Sequence, residues 1–403
     1  MEPFKKLLYD KSVRIIAAVT GALIIGWWIS SSSLGRKVEL QAMDIQFKLA
    51  RNSRQPDSSI VIVTIDQNSI QYFKQNGHIS TPWPRDFYAI TTKYFHKAGA
   101  KAIVFDFLFD EPDEDRVASP GAVNDSVFAD AIQKAGNVYL SMQLTTKEEN
   151  DQPGDTLIDV RKENMSHGES FYIYDKTYAP LILFQRKARG IGVVNFIPDE
   201  DGICRRIPLF YRYQQRSAEA LSYIVYRDLV GIKNASSIQS PHLVYWYGKG
   251  GPYGVFKYYS IHAVIISAIK LEYGKKPDIP LDQFKDKIIL IGSNAPGLLD
   301  LRPTPFTSEE PYPGVEIHAT VLSNFLQHHF ITESSVLSNI IIALLLTVVA
   351  ALVTTYTGNI LVSTMSVLAM VLLYCWGASK IFMDELMSIK IVFPVASLML
   401  GYI

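Results

Sequence analysis

Polar side chains stand at the ends of three predicted buried strands, where they could bind a small molecule. Asp66 follows the β-branched run IVIVTI, Asp106 lies within the apolar run AIVFDFLF, and Ser293 comes just after the run KIILI. In open sheets of parallel strands, ligands bind in the crevice outside the carboxyl ends of the strands. These positions therefore indicate a polar binding crevice at one edge of a sheet.

Asp106 is the most informative of these residues, because its neighbours on both sides are phenylalanines. An isolated buried carboxylate is costly, so it needs a partner. Arg85 and Arg302 are the available cations. The functional interpretation is a ligand or metal pocket built from Asp66, Arg85, Asp106 and Asp300. The alternative is a structural network of salt bridges that orients the loops, and the sequence leaves both open.

Glu316 and His318 stand at the start of a predicted helix. Two residues apart on a helix, they point in different directions and do not form a zinc-binding pair with i, i+4 spacing. The helix dipole is a sufficient reason for an acid in the first turn. His318 is more simply interpreted as a packing residue than as a ligand, so no metal site is expected.

Recognisable catalytic motifs are missing from the sequence. It has no Gly-x-Ser-x-Gly elbow, no His-Glu-x-x-His and no Gly-x-Gly-x-x-Gly after the first strand. The glycine-rich stretch 248–254 lacks the Lys-Ser/Thr pair and the following helix of a phosphate-binding loop, so a flexible turn is expected there. The sequence therefore supports neither a catalytic site nor a bound cofactor, and enzyme activity in this chain stays uncertain.

The elements that position these residues alternate along the chain. Apolar runs predict strands at 60–65, 102–109 and 137–143, and helical spacing predicts helices at 85–98 and 128–135. This β-α-β-α-β order is typical of an α/β fold with a largely parallel sheet that is flanked by helices. Further along, 287–291 is expected to add a strand and 315–327 a helix.

The composition excludes several classes of protein. The 403 residues include 39 Lys and Arg against 39 Asp and Glu, so the chain lacks the basic excess of a nucleic-acid-binding protein. Two cysteines are too few for a disulfide scaffold. The charges are unevenly spread, with none in 15–35 and none in 334–379. This distribution is typical of a membrane protein with one large water-exposed part.

The uncharged stretches are long enough to cross a bilayer, which takes roughly 20 helical residues. Residues 15–35 form one predicted transmembrane helix, and a polar turn divides the second stretch into a hairpin of helices at 336–353 and 360–376. Residues 386–403 form a partial or final transmembrane helix, which gives about three in the C-terminal region. A cleaved signal peptide is the alternative for the first helix.

The positive-inside rule predicts the orientation. The basic residues Lys5, Lys6, Lys11 and Arg14 precede the first helix, so residues 1–14 are expected in the cytoplasm. The 298-residue block 36–333 is then expected outside the cytoplasm. In a bacterium, the chain would be a multi-pass protein of the inner membrane with a periplasmic domain.

A series of motifs runs through this block in a distinctive order. The motifs are VIVTID at 61–66, PWPR at 82–85, GAKAIVFDFLFDEPDED at 99–115, GNVYL at 136–140, DEDGICRRIPL at 199–209, KIILIGSNAPGLLD at 287–300 and PGVEIHATVLSNFL at 313–326. Together with the flanking apolar helices, they resemble the type-two CHASE domain, the extracellular sensory module of bacterial transmembrane cyclases and sensor kinases. The resemblance covers nearly the whole chain.

The resemblance implies signal reception outside the cell and an output inside it. Family members usually continue into an adenylate or guanylate cyclase or a histidine kinase, whereas this sequence ends at Ile403 inside the last predicted helix. We therefore expect a fragment, a lost output domain or an output from a partner chain. The alternatives are a membrane-tethered binding or scaffold protein without signalling output and, further from the evidence, an exported hydrolase.

The family motifs also suggest where a ligand binds. The candidate ligand-binding residues, whose types recur in the motifs, are Asp66, Arg85, Asp106, Asp300 and Glu316. The expected partners are an unknown small molecule or envelope stimulus, the membrane, and a second copy of the chain. The small residues Gly21, Ala22 and Gly26 would allow close helix contact in such a homodimer, although packing against lipid explains them equally well.

Overall fold

The computed structural model describes residues 11–117, 119–146, 173–214, 216–232, 241–298, 300–307 and 312–402. Most of the predicted cytoplasmic segment 1–14 lies outside these residues. The described chain divides into two units. The sheet unit is Gln55–Phe330, and the helical unit comprises the residues up to Arg54 together with those from Ile331 onward.

Both units contain helices, and the helices of the sheet unit cover its own sheet. In chain order they are α1 (Lys11–Ser31), α2 (Ser33–Leu49), α3 (Gln67–Gly77), α4 (Arg85–Ala98), α5 (Gly121–Ala135), α6 (Ile182–Gln185), α7 (Leu221–Val230), α8 (Ile261–Glu272), α9 (Gly314–Gln327), α10 (Val336–Thr357), α11 (Ile360–Glu385) and α12 (Val392–Tyr402). Short 3-10 turns occur at Leu281–Phe284 and Pro296–Leu298.

The strands are short outside the main sheet. In chain order they are β1 (Ile60–Ile65), β2 (Ala102–Phe105), β3 (Val138–Thr145), β4 (Ile173–Tyr174), β5 (Lys176–Tyr178), β6 (Gly190–Val193), β7 (Arg206–Ile207), β8 (Phe210–Tyr213), β9 (Arg216–Glu219), β10 (His242–Leu243), β11 (Lys257–Ser260), β12 (Ile288–Ser293), β13 (Leu301–Arg302), β14 (Tyr312–Pro313), β15 (Thr332–Glu333) and β16 (Met387–Ser388).

The main sheet is mixed and largely parallel, which confirms the predicted fold class of the sheet unit. Its order is β11-β1-β12-β2-β3, and the far edge of β3 pairs with β6 and then with β5. All of these pairings are parallel except that of β5. The order differs from the simple βαβαβ expectation at one place, because β12 pairs between β1 and β2 and so separates their carboxyl ends.

Helices cover both faces of this sheet. On one face, alternate residues of the central strands, such as Val63 in β1 and Phe105 in β2, join the main hydrophobic core with side chains from α4, α5 and α8. On the other face, α9 packs on β12 and β1, and α7 packs on β6 and β3. Because successive side chains of a strand point to opposite faces, Asp106 points away from the core that buries Phe105.

Among the described residues of the helical unit, three helices are long and apolar enough to cross a membrane, at Ser12–Ser31, Val336–Thr357 and Ile360–Glu385. The first ends before the predicted limit of residue 35, because the Ser32 hydroxyl accepts a hydrogen bond from Gly35 N–H and caps the new helix α2. The predicted hairpin is present as α10 and α11, which extend beyond residues 353 and 376. The shorter apolar helix α12 follows.

Small residues of α1 face helices of the same chain. A side chain on Gly26 would collide with Ser397 of α12, and Ala22 is buried. Gly21 has open space around its Cα, and Ile24 is 62% exposed. Within the described residues, Ala22 and Gly26 therefore serve packing inside the chain, and a homodimer would need the exposed side of α1.

A set of contacts joins α2, and the segment that follows it, to the end of α11 and the start of α12. We call this set the collar. The Glu39 carboxylate in α2 accepts hydrogen bonds from Ile391 N–H (2.9 Å) and Val392 N–H (2.8 Å) at the start of α12. Arg54 donates to the Asp384 carbonyl oxygen near the end of α11 (2.8 Å). Glu39 thus caps one helix and Arg54 the other, which satisfies groups that helix ends leave unpaired.

Three further contacts complete the collar. Strands β15 and β16 pair in parallel, and Glu333 lies 3.5 Å from the Lys390 ammonium. The rings of Phe47 in α2 and Phe382 in α11 meet edge to face with centroids 5.1 Å apart. Because β15 precedes α10 and β16 follows α11, their pairing holds the start of α10 beside the end of α11.

Candidate ligand-binding cavity

A cavity of about 440 Å³ opens at the carboxyl ends of β2, β12 and β6. Asp106 directly follows β2, Ser293 ends β12, and Asn195 follows β6. The lining residues are Asp106, Phe107, Leu108, Ser141, Gln143, Val194, Asn195, Phe196, Ser293, Leu298, Asp300 and Arg302. The cavity lies where parallel sheets commonly hold ligands, as the sequence predicts, and its size is in the range of small-molecule sites.

Asp106 forms the buried end of the cavity. Its side chain is only 9% exposed, and its carboxyl oxygens receive no hydrogen bond from any described residue. Burial raises the pKa of Asp106 well above its usual value, the nearby Asp300 raises it further, and Arg302 lowers it. Neither Arg85 nor Arg302 is thus the close ionic partner that the sequence leads one to expect.

Asp300 and Arg302 stand nearer the opening. Their side chains are 27% and 46% exposed, and the Arg302 Nε lies 3.7 Å from Asp300 Oδ1, too far for a hydrogen bond. Burial raises the pKa of Asp300, which Arg302 partly offsets. Gly314 is required beside it, because a side chain at that position would overlap the Asp300 carboxylate. The Arg302 guanidinium lies over the Phe196 ring, 5.7 Å from its centroid.

His318 backs the cavity from helix α9. Its Nε2 lies 4.0 Å from Asp106 Oδ1, and its ring packs against Phe196 with centroids 4.9 Å apart. Neither ring nitrogen has a hydrogen-bond partner among the described residues. Burial lowers the pKa of His318 to about 3, with a further contribution from Arg302, so the ring is neutral. The predicted packing role agrees with this placement, although the ring touches a wall residue of the cavity.

Asp66 lies elsewhere, at the start of α3. Its carboxylate accepts hydrogen bonds from Ser69 N–H (2.8 Å) and from the Ser69 and Ser260 hydroxyls (2.5 and 2.8 Å). It is therefore a helix cap within a hydroxyl network that also includes His262. Asp66 follows β1 and Asp106 follows β2, and β12 lies between these two strands. Asp66 does not line the cavity.

Arg85 also lies away from the cavity. It starts α4 on the opposite face of the sheet, where its guanidinium donates to the Glu111 carbonyl oxygen (3.0 Å) and lies over the Phe109 ring. Its backbone N–H donates to the Asp113 carboxylate (3.0 Å), and its Nε lies 3.7 Å from the Asp125 carboxylate. Arg85 thus holds the segment that follows β2. The four residues proposed as one pocket are separated, and only Asp106 and Asp300 line the same cavity.

Glu316 belongs to a closed cluster on the far side of α9. Its Oε2 accepts hydrogen bonds from the Tyr258 hydroxyl and from Gly251 N–H, both 2.6 Å. Burial raises the pKa of Glu316 to about 8, although both hydrogen bonds lower it. The residue is fully buried and does not line the cavity. Its contacts fasten the glycine-rich turn 248–254 to α9, which the helix dipole alone did not predict.

A metal centre is not among the described residues, because no group of three or more His, Cys, Asp and Glu side chains there could hold an ion. What the cavity offers is a set of carboxyl, hydroxyl and guanidinium groups beside two aromatic rings. These groups are of the kinds that form hydrogen bonds and ion pairs with small polar molecules.

Comparison with known proteins decides the family. A family model described as the CHASE2 domain matches residues 18–355, which is most of the chain. The chain belongs to the CHASE2 domain family. CHASE2 domains are extracellular sensory domains. No curated protein and no solved structure matches the chain.

The CHASE2 match begins within α1 and ends within α10. It thus includes an apolar helix at each end as well as the complete sheet unit with its cavity. This extent confirms the resemblance on which the candidate residues were chosen.

The sequence did not indicate several of the residues that line this CHASE2 cavity. Asn195 is the clearest case: its side-chain oxygen accepts from Leu144 N–H and its amide donates to the Leu144 carbonyl, both at 2.8 Å. It replaces a backbone partner at the edge of β3 and so shapes the wall. The sequence carries no signal for this role, because Asn195 reaches β3 only after the sheet has formed.

Proposed function

We propose that this CHASE2 chain is the extracytoplasmic sensory input module of a transmembrane signalling receptor, and that the Asp106 cavity receives the stimulus. The observation that carries the proposal is a buried carboxyl group that accepts no hydrogen bond from the described residues and faces an open cavity in a member of a sensory family. Buried polar groups are normally hydrogen-bonded, and a protein that leaves one unpaired gives up stability. A ligand that pairs with Asp106 explains why the group is there.

The proposed placement is a multi-pass protein of the inner membrane with the sheet unit in the periplasm. Basic residues before α1 favour a cytoplasmic N-terminus. With α1 as one crossing, the sheet unit follows outside, α10 returns to the cytoplasm, and α11 crosses outward again. The collar supports this order, because the pairing of β15 with β16 requires the start of α10 and the end of α11 on the same side.

The collar also suggests how a stimulus is transmitted. Glu39 links α2 to α12, and Arg54, five residues after the end of α2, contacts α11, so movement of the incoming chain changes contacts at the start of α12. A ligand drives such a movement only if it binds two arrangements with different affinity. We propose that these are two arrangements of the collar, and that the signal reaches a cyclase- or kinase-type output in the cytoplasm.

The test is a thermal-shift screen of the full chain in detergent micelles with amino acids, sugars, dicarboxylates and polyamines. A ligand that binds only the folded state raises the melting temperature. We expect at least one class to stabilise the wild type and to lose its effect in Asp106→Asn. Asp130→Asn is the matched control, because Asp130 is an exposed residue paired with Lys187 on the surface. Absence of stabilisation by every class, or stabilisation that survives in Asp106→Asn, would contradict the proposal.

A further inference from the structure

The three charged groups of the cavity are all without hydrogen bonds among the described residues. Asp106 and Asp300 accept none on their carboxyl oxygens, and the Arg302 guanidinium donates none, with only the 3.7 Å approach to Asp300 and the ring of Phe196 beside it. Charged groups form the strongest hydrogen bonds available to a protein. All three groups can therefore form hydrogen bonds with a ligand.

These groups are ordered by depth. Side-chain exposure rises from 9% at Asp106 to 27% at Asp300 and 46% at Arg302. The negative groups thus occupy the inner part of the cavity, and the positive group stands at its opening. A ligand that satisfies all three must present positive charge at its inner end and negative charge at its outer end.

The inner wall adds hydrogen-bond acceptors to the two carboxyl groups. The Ser141 hydroxyl donates its hydrogen to the Phe107 carbonyl oxygen (2.7 Å), and the Ser293 hydroxyl donates to the Ile65 carbonyl oxygen (3.3 Å). Both oxygens keep lone pairs for a donor. Asn195 gives one amide hydrogen and one lone pair to Leu144 and keeps one of each. A group that carries several hydrogens, such as a primary ammonium with its three donors, matches this wall.

Resting on the proposed sensory role, we propose that the cavity binds a small zwitterion of the α-amino acid class. The ammonium group lies between Asp106 and Asp300 with the Ser141 hydroxyl as a further acceptor. The carboxylate receives hydrogen bonds from the Arg302 guanidinium, whose planar fork suits a carboxylate. The remaining part of the ligand packs beside Phe107 and Phe196.

Other classes of small molecule fit the cavity less well. A dicarboxylate would meet Asp106 and Asp300, and a polyamine would place positive charge against Arg302. Like charges at such short range are strongly unfavourable where water is largely excluded. A sugar is neutral and would leave the three charged groups of the cavity without an opposite charge.

The experiment measures the melting temperature of the full chain in detergent micelles with three matched probes. They are an equimolar mixture of the twenty proteinogenic L-amino acids, the same mixture acetylated on the α-nitrogen, and the same mixture as methyl esters. Acetylation removes the ammonium group and esterification removes the carboxylate. We expect the free mixture to stabilise the protein and both modified mixtures to lose at least about tenfold in apparent affinity, as for loss of a charge-assisted hydrogen bond.

Substitutions assign each end of the ligand. Asp106→Asn is expected to weaken binding of the free mixture at least about tenfold and Arg302→Gln by a similar factor. Arg302→Lys keeps the charge and is expected to recover part of the affinity. Asp130→Asn serves again as the matched control and should bind like the wild type. The melting temperature of each variant without probe shows whether it is folded.

Three results would overturn this inference in distinguishable ways. Stabilisation by the acetylated mixture, the esters or a sugar, abolished in Asp106→Asn, would show a ligand site of another class and leave the sensory role standing. Stabilisation by none of the tested classes would remove the proposed function together with the zwitterion. Equal binding of the free mixture by wild type, Asp106→Asn and Arg302→Gln would place the ligand outside this cavity.

Discussion

Asp106 and Glu316 are both buried carboxyl groups beside helix α9, and their surroundings differ. Glu316 accepts two hydrogen bonds at 2.6 Å in a closed cluster, whereas Asp106 accepts none from the described residues and faces an open cavity. Burial raises the pKa of both groups. A raised pKa therefore does not distinguish a binding residue from a structural one. Glu316 Oε1 is also buried without a partner among the described residues, so the open space beside Asp106 makes that distinction.

The largest expected effect is the loss of the closed cluster. Glu316→Ala leaves the Tyr258 hydroxyl and Gly251 N–H buried without an acceptor, which costs roughly 2–4 kcal/mol of unfolding free energy. The melting temperature of the full chain in detergent should fall by roughly 10 °C. Asp106→Ala is the comparison, because it removes no hydrogen bond and should cost much less. Equal losses for the two variants would break the contrast between the sites.

The pH dependence of stability tests whether Glu316 is protonated in the folded protein. Glu316 has a pKa of about 8 in the folded protein against an ordinary value of 4.5, so the folded state keeps a proton that the unfolded state releases. The stabilising contribution is complete below pH 4.5 and is lost as pH rises through about 8. Relative to Glu316→Gln, the wild type should lose up to about 1.4 kcal/mol per pH unit across this interval.

Thermal unfolding of both proteins between about pH 5 and about pH 8 measures this difference. The wild-type melting temperature should fall more steeply with rising pH than that of Glu316→Gln. Parallel curves would mean that Glu316 is already ionised in the folded protein, which would contradict its raised pKa.

The smallest expected effect is on Asp106 itself. Asn has the shape of a protonated Asp and no charge, so Asp106→Asn should stabilise the ligand-free protein by about 0.5–2 kcal/mol near neutral pH. The gain should shrink as pH falls, because the wild-type carboxyl has a raised pKa and is then neutral in both states. Melting curves of the two proteins without ligand provide the measurement. A clear loss of stability would assign Asp106 to the scaffold.

Much of the sheet unit could be predicted from the sequence because its signals are local. The helix at 85–98 and the strand at 60–65 have the bounds that periodicity predicts. Strand alternation also places Asp106 opposite Phe105. The residue order along one chain segment is sufficient for such statements.

The composition of the cavity depended instead on contacts between distant segments. Asp66 and Asp106 were grouped because both stand in or at the ends of predicted parallel strands, whose order in the sheet the sequence does not give. Strand β12 lies between them and brings Asp300 and Arg302 to the end of β2, while Asp66 caps α3. Neither the insertion of β12 nor the placement of Arg85 on the opposite face has a local signal in the chain.

The central claim, that the sheet unit receives its stimulus outside the cytoplasm, is tested most directly by cysteine labelling in intact spheroplasts. Cys204 and Cys375 are first replaced by alanine. Tyr253→Cys then reports on the sheet unit, where Tyr253 is 94% exposed, and Tyr356→Cys reports on the end of α10, where Tyr356 is 68% exposed. A membrane-impermeant maleimide should label position 253 in intact spheroplasts and position 356 only after permeabilisation. Labelling of position 356 alone before permeabilisation would contradict the account.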